Sequence, residues 1–111
     1  MNIQIFKKSK CFDSKNAERY FKERGISFHS VDLARRGMSK GELESVIAAA
    51  GGLEALIDYK AKDAVLLRYL AYESDKLQKL LENPLLLRTP VVRNGRRATV
   101  GYKPEVWKTW E

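Results

Sequence analysis

Apolar runs and amphipathic segments alternate along the first third of the chain. The apolar run Ile3–Phe6 predicts a buried first strand, which ends in a basic loop over residues 7–10. Apolar side chains recur at helical spacing over residues 14–24, and Gly25 is placed to end that helix. A second apolar run over residues 26–31 predicts another strand. Strand, helix and strand in this order form a βαβ unit, in which the two strands pair in parallel.

The middle of the chain follows the helical period. Ser39 and Glu42 have the spacing of a capping box, and the apolar positions after them lie on one helical face. Gly51 and Gly52 interrupt this helix. A short apolar segment follows, and then Leu66, Tyr69 and Leu70 predict a helix.

A further helix and a change of period complete the chain. Ser74 is placed to cap a helix that Asn83-Pro84 stops, which makes residues 39–83 a helical insert. Pro90 opens a strand, and Asn94-Gly95 predicts a hairpin turn before a returning strand. Pro104 suits the first turn of a last helix. We therefore expect one α/β domain over residues 1–111 with the order βαβ, helical insert, β-hairpin and C-terminal helix.

Composition excludes some classes of protein. A hydrophobic fraction of 44% in 111 residues is enough for the core of one domain. No segment approaches the roughly 20 apolar residues of a membrane span, and no targeting segment is recognisable, which favours the cytoplasm. One cysteine and one histidine make a metal site improbable, and no bound cofactor is expected.

The net charge of +7 favours anionic partners such as glutathione, oxyanions or acidic protein surfaces. Direct binding of nucleic acid requires a basic stripe with aromatic stacking or a helix that enters a groove, and neither is recognisable. Charge alone therefore does not identify a partner.

Cys11 lies between the predicted first strand and first helix. Backbone N–H groups and the helix dipole at that position favour the thiolate, and Lys8, Lys10 and Lys15 add positive charge nearby. Ser14 is placed to donate a hydrogen bond to the sulfur. Because Cys11 is the only cysteine, a disulfide cycle would need an external thiol such as glutathione or a partner cysteine. An inert cysteine in a basic loop is the alternative.

Three segments, in the same order and spacing, resemble the arsenate reductase (ArsC) and Spx-type family. That family is a branch of the thioredoxin-like fold with helices inserted in its middle. The segments are Cys11–Asn16, similar to the family's Cys-x-x-Ser-Arg-Asn run with lysine in place of arginine; Asn83–Val92, similar to its proline-bounded segment before a strand; and Val100–Tyr102, similar to its C-terminal signature.

The resemblance implies a thiol-dependent oxidoreductase linked to glutathione or a similar thiol. Cys11 would be the nucleophile, with Ser14 and Lys15 stabilising the thiolate. Pro90 is expected in the cis form facing the cysteine, where Thr89 and Pro90 would position the substrate and Arg88 would lie nearby.

The chain departs from the arsenate reductases at their arginines. Asp58 stands where a catalytic arginine is expected, and Thr89 stands where another precedes the strand proline. A carboxylate repels a dianionic oxyanion, so arsenate reduction is not expected. The sequence leaves open whether other arginines rebuild an anion site. The candidates are Arg88, Arg93, Arg96 and Arg97.

The second hypothesis is a non-enzymatic regulator of the Spx type, which binds the α subunit of RNA polymerase or another protein. Spx-type regulators usually carry Cys-x-x-Cys, whereas this chain has Ser14 at the second position. Gly51-Gly52 lies in the region of the glycine that contacts the polymerase, although a helix C-cap is the favoured explanation of the pair.

Overall fold

The structure is a computed structural model that describes residues 1–111, and its centre is a four-stranded mixed sheet. The strands lie in the order β2-β1-β3-β4; β1 pairs in parallel with β2, and the other two pairs are antiparallel. Their bounds are β1 Ile3–Lys7, β2 Phe28–Asp32, β3 Val91–Asn94 and β4 Arg97–Val100. The predicted βαβ unit and β-hairpin are both present.

The strand register brings two distant segments together at one end of the sheet. Ile3 pairs with Asn94, and Phe6 pairs with Val91, so the end of β1 lies beside the start of β3. The residues that follow β1 therefore lie next to the residues that precede β3. The hairpin turn is at the opposite end of the sheet, where Gly95 has a φ of 62°.

Helices cover both faces of the sheet. The α-helices are α1 Phe12–Glu23, α2 Lys40–Ala50, α3 Glu73–Glu82 and α4 Pro104–Trp107. Short 3₁₀ helices are Leu53–Leu56, Ala64–Tyr69, Pro84–Leu86 and Lys108–Trp110. None of these helices has both the length and the apolar character needed to cross a bilayer.

Each face of the sheet has its own apolar core. Ile3, Ile5 and Val92 pack with α1 and with the two C-terminal tryptophans. The Nε1–H of Trp107, which is fully buried, donates to Thr99 Oγ1 at 2.8 Å. Side chains of the opposite face, including Phe6, pack with the helical insert. Because successive side chains of β1 point to opposite faces of the sheet, this strand contributes to both cores.

The predicted capping box of α2 is confirmed. Ser39 Oγ accepts from the N–H of Glu42 at 3.1 Å, and Glu42 Oε1 accepts from the N–H of Ser39 at 2.8 Å. Gly51 ends the helix with a φ of 83°, and Gly52 follows with a φ of 142°. Few residues other than glycine adopt either conformation.

Two predicted helices of the insert differ from the structure. The segment expected around Leu66, Tyr69 and Leu70 is the 3₁₀ helix Ala64–Tyr69, and it buries Ala64 and Leu67 while Leu66 and Tyr69 are exposed. A 3₁₀ helix repeats every three residues, so the α-helical spacing selected the wrong face.

The cap predicted for α3 is also wrong. Its N-cap is Tyr72, whose side chain makes no capping hydrogen bond, and Ser74 lies within the first turn. Glu73 and Asp75 occupy that same turn. Their negative charges suit the positive end of the helix dipole, which stabilises this start without a side-chain cap.

Candidate active-site cleft

Cys11 is the N-cap residue of α1. It has an extended conformation, with φ −87° and ψ 117°, and its carbonyl accepts the first helical hydrogen bond from the N–H of Lys15 at 3.3 Å. The N–H of Cys11 donates to the carbonyl of Lys8 at 3.1 Å, which closes the turn after β1. The half-buried sulfur consequently lies at the helix end where backbone N–H groups have no helical acceptor.

Thr89 and Pro90 face this helix end from the start of β3. The peptide bond between them is cis, as the family resemblance implied. Cys11 Sγ lies 3.6 Å from the carbonyl oxygen of Thr89, to which the neutral thiol donates. Pro90 is buried, and its carbonyl accepts from the N–H of Gly101 at 2.8 Å. This bond anchors the proline to the residue that follows β4.

The surroundings hold the pKa of the Cys11 thiol below its ordinary value. Partial burial raises this pKa, but it is outweighed by the hydrogen bonds that the thiolate would accept from the side chains of Ser14 and Thr89 and from the N–H groups of Ser14 and Asp13. The Thr89 carbonyl favours the neutral thiol, whereas the Thr89 hydroxyl favours the thiolate. Ionisation of Cys11 therefore exchanges one Thr89 partner for the other.

Ser14 lies beneath the sulfur. It is only 1% exposed, and its hydroxyl has no hydrogen-bond partner in the resting structure. A buried hydroxyl without a partner costs about 1–3 kcal/mol, so a thiolate beside it gains a donor that is already desolvated. Ser14 is thus poised to bond the charged form of Cys11 rather than the neutral form.

The opposite wall of the cleft is held by a short antiparallel bridge between Ile57 and Leu87. The N–H of Asp58 donates to the carbonyl of Leu86 at 2.8 Å, and the N–H of Arg88 donates to the carbonyl of Leu56 at 2.7 Å. The bridge places Asp58 at the cleft. Its carboxylate forms an ion pair with Lys8, with Nζ and Oδ2 separated by 3.5 Å.

Tyr59 extends this wall, and contacts with other residues of the insert hold it in place. Its hydroxyl donates to the carboxylate of Glu54, which also accepts from Lys76 Nζ at 2.6 Å. The guanidinium of Arg68 lies 4.0 Å from the centre of the Tyr59 ring. Residues of three different segments of the insert therefore determine where this aromatic wall lies.

Together these segments enclose an open cleft of about 680 Å³. This volume is typical of sites for ligands with tens of atoms and far exceeds what a small oxyanion fills. Four of the lining residues are cationic and two are acidic. The lining residues are Lys8, Lys10, Cys11, Asp13, Ile57, Asp58, Tyr59, Lys60, Arg88 and Thr89.

The family model described as the ArsC family matches residues 6–110, which is almost the entire chain. The chain belongs to the ArsC family. Solved structures share its fold: a putative ArsC family related protein from Bacteroides fragilis gives a TM-score of 0.85 at 20% identity, and the match covers 100% of this chain and 98% of that protein. The fold is thioredoxin-like, and a glutaredoxin-like NrdH-redoxin from Escherichia coli shares it at a TM-score of 0.51.

Relatives of two kinds match this ArsC-family chain. An arsenate reductase from Vibrio cholerae gives a TM-score of 0.84 at 21% identity, covering 96% of this chain and 94% of its own. The Global transcriptional regulator Spx 2 of Oceanobacillus iheyensis is 28% identical over 109 residues, which are 92% of this chain and 78% of the regulator. The chain is therefore similar both to a protein described as a reductase and to one described as a regulator.

The predicted site residues of this ArsC-family protein occupy different places. Cys11, Arg88 and Thr89 line the cleft, whereas Ser14 and Pro90 are buried beside it. Lys15 is exposed and does not line the cleft. It follows the cysteine by one helical turn, but its side chain lies on the solvent face of α1. The predicted role for Lys15 beside the sulfur is therefore not supported by its position.

Among the four candidate arginines, only Arg88 lies at the cleft. Arg93 Nη1 donates to Gln4 Oε1 at 3.0 Å and lies 3.7 Å from Glu42 Oε2. Arg96 and Arg97 lie in the turn and at the first position of β4, at the far end of the sheet from Cys11. The four arginines do not form one anion site.

Sequence reasoning missed Tyr59 and Lys60, which complete the cleft. Lys8 and Lys10 were expected to add positive charge near the cysteine because they directly precede it, and both line the cleft. Nothing in the local pattern indicates that Tyr59 and Lys60 face a residue almost 50 positions earlier.

Proposed function

We propose that this ArsC-family protein is a thiol-dependent oxidoreductase with Cys11 as its nucleophile. The observation that carries the proposal is the sulfur at the N-terminus of α1, in an open cationic cleft, with a pKa below that of an ordinary thiol. The thiolate is the reactive form of cysteine, so these surroundings increase its reactivity at neutral pH. A reducing compartment such as the cytoplasm would keep the single thiol reduced.

Cys11 takes part in two thiol–disulfide exchanges. The Cys11 thiolate attacks one sulfur of a substrate disulfide; a new S–S bond forms, and the other sulfur leaves as a thiolate that takes a proton from water. The thiolate of an external thiol, such as glutathione, then attacks the mixed disulfide and releases Cys11. No second cysteine is present to perform this step within the chain. These exchanges yield one substrate thiol and a mixed disulfide of the other substrate half with the external thiol. A second external thiol then reduces this mixed disulfide without Cys11, so the substrate gains two electrons in all and two external thiols are oxidised to a disulfide.

The cleft suits a disulfide better than arsenate. Arg88 is the only arginine that lines it, and Asp58 introduces a negative charge into the same wall. Bidentate recognition of a dianionic oxyanion relies on guanidinium groups, and a neighbouring carboxylate opposes it. A disulfide needs no such arrangement, since its sulfurs carry no charge.

Turnover of a disulfide by glutathione tests the proposal. Reduction of hydroxyethyl disulfide is followed by coupling glutathione disulfide formation to glutathione reductase and NADPH. We expect the wild-type protein to exceed the uncatalysed rate and Cys11→Ser to abolish the excess. Ser9→Ala, an exposed serine of the same loop, is the matched control and is expected to retain activity. Activity that survives Cys11→Ser would refute the proposal, as would a wild-type rate equal to background.

The second candidate is a regulator that binds the α subunit of RNA polymerase or another protein. The match to a Global transcriptional regulator over 92% of the chain favours it. Gly51 and Gly52 support it as well, since a Cβ built on either meets no atom within 4 Å, which leaves the surface there open to a partner. In this function the thiol would be dispensable for binding.

Binding to the purified α subunit separates the two candidates. Gly51→Asn is the informative variant, because asparagine tolerates the left-handed conformation while adding a side chain to the surface. A regulator is expected to lose binding in Gly51→Asn and to keep it in Cys11→Ser. An oxidoreductase is expected to show the reverse pattern in the turnover assay, and no binding by wild type would remove this candidate.

A further inference from the structure

The ion pair between Lys8 and Asp58 joins the two walls of the cleft that contains Cys11. The lysine side chain is 21% exposed, and the aspartate side chain is 32% exposed. A backbone hydrogen bond also holds Asp58 in place, because its Oδ1 accepts from the N–H of Lys60 at 3.0 Å. The carboxylate is therefore fixed at the cleft rather than free to turn into solvent.

The other cations of the cleft have no such partner. Lys10, Lys60 and Arg88 line it, and none of them forms an ion pair within 4 Å of a carboxylate. Lys8 is thus the one cleft cation whose charge is compensated directly. The cleft remains cationic, but its positive charge is weakened at the wall formed by Lys8 and Asp58.

We propose that Asp58 determines the charge selectivity of the cleft, so that Cys11 reacts with disulfides of low negative charge rather than with highly anionic ones. The inference rests on the proposed reaction of Cys11 with disulfides. Asp58 cancels the attraction that Lys8 alone would exert and repels a second negative charge on the substrate. A single carboxylate can still pair with Lys10, Lys60 or Arg88.

The substrate class that follows is a neutral or singly anionic disulfide of peptide size. The cleft volume of about 680 Å³ accommodates a few residues or a compact organic disulfide. Substrates with two or more negative charges beside the sulfur are expected to react more slowly.

Methanethiosulfonates of different charge measure this selectivity without any turnover. The Cys11 thiolate attacks the thiol-side sulfur of the reagent, a disulfide forms, and methanesulfinate leaves with the electron pair. The sulfonate-bearing, uncharged and trimethylammonium-bearing reagents share this leaving group. The ratio of their rates therefore cancels the thiolate fraction of each variant and reports the charge of the cleft alone.

Asp58→Asn is expected to raise the rate of the sulfonate-bearing reagent relative to the uncharged reagent about threefold. It is expected to lower the rate of the trimethylammonium-bearing reagent relative to the uncharged reagent by a similar factor. Asparagine keeps an oxygen for the N–H of Lys60. Lys8→Gln is expected to move both ratios in the opposite direction, because it leaves the Asp58 charge uncompensated. Glu44→Gln, an exposed carboxylate on α2 without an ion pair, is the matched control and is expected to change neither ratio.

Ratios that stay unchanged in both Asp58→Asn and Lys8→Gln would overturn the inference. So would an equal change in Glu44→Gln, since net charge would then explain the effect. Added salt is expected to reduce the difference between Asp58→Asn and wild type, because the cleft is open to solvent. These rate ratios can be measured whether or not the protein turns over a disulfide. A result against the charge selectivity and a result against the oxidoreductase function are therefore distinguishable.

Discussion

Cys11 Sγ lies 3.6 Å from the carbonyl oxygen of Thr89, a residue 78 positions later in the chain. The contact joins the N-terminus of α1 to the start of β3, and the pairing of β1 with β3 makes it possible. Because Thr89 also bears a hydroxyl, one residue can accept from the neutral thiol and donate to the thiolate. Thr89 can therefore form a hydrogen bond with the sulfur in both of its protonation states.

Ser14→Ala is expected to slow the reaction of Cys11 with a neutral alkylating reagent at pH 7 by about threefold, because a hydrogen bond to the thiolate is lost. The free energy of unfolding should rise by about 1 kcal/mol while the thiol is protonated, because the variant removes a buried hydroxyl that has no partner. Alkylation rates and urea denaturation measure the two effects. An unchanged alkylation rate would contradict the role assigned to Ser14.

Thr89→Val is expected to raise the pKa of Cys11, since valine keeps the shape of threonine but removes the hydroxyl that donates to the thiolate. The backbone carbonyl that accepts from the thiol remains. The pH dependence of alkylation gives the pKa directly. The comparison variant is Lys15→Ala, for which the exposed position outside the cleft predicts a smaller change. A larger effect of Lys15→Ala would show that the charge of Lys15, rather than the Thr89 hydroxyl, has the greater influence on the pKa of Cys11.

Gly52→Ala is expected to destabilise the fold by about 1–3 kcal/mol, because a φ of 142° is a conformation that L side chains rarely adopt. Space is not the cause, since a Cβ there meets no atom within 4 Å. Gly41→Ala, in the first turn of α2 and equally open, is the matched control and is expected to stabilise by about 0.5–1 kcal/mol. Urea denaturation that gives both variants the same sign would contradict this account.

Glu42→Gln is expected to lower the free energy of unfolding at pH 7 by about 1 kcal/mol, since the carboxylate bonds to Ser39 and lies near Arg36 and Arg93. Burial raises the pKa of Glu42, but hydrogen bonds from Ser39 and Gln4 and the charge of Arg36 outweigh it, so the folded pKa lies below the ordinary value.

The sign of the pH dependence follows from that direction. Ionised Glu42 contributes its full stability above the unfolded pKa of about 4.3, and the contribution is lost as the pH falls through the lower folded pKa. Urea denaturation at pH 7 and at pH 3 should therefore show a smaller difference between Glu42→Gln and wild type at pH 3. A difference that grows on acidification would contradict the assignment.

Local patterns predicted the frame of the molecule well. The apolar run at Ile3–Phe6, the capping pair of Ser39 and Glu42 and the proline at position 104 each act over a few residues, and each is confirmed. The insert was harder to predict from the sequence. Its 3₁₀ helix Ala64–Tyr69 has three residues per turn, so the α-helical spacing assigned its buried positions wrongly. Local rules succeed where the stabilising contacts are themselves local.

The site was predicted only in part, because its walls come from segments far apart in sequence. Cys11 and Ser14 could be placed from the strand–helix junction, and the resemblance supplied Thr89 and Pro90. The pairing of Lys8 with Asp58 depends on the bridge between Ile57 and Leu87, which no local spacing encodes. Sequence proximity to the cysteine does not show which way a side chain on the first helical turn points. Lys15 is exposed outside the cleft, and its effect on the thiolate stays a prediction.

The central claim is that the fold activates Cys11, and the pH dependence of its alkylation by a neutral reagent tests this most directly. We expect the rate to reach half its maximum at a pH below the roughly 8.5 of a free cysteine, because the hydrogen bonds to the thiolate outweigh burial. A midpoint at or above 8.5 in the folded protein would contradict the claim and leave Cys11 an ordinary thiol.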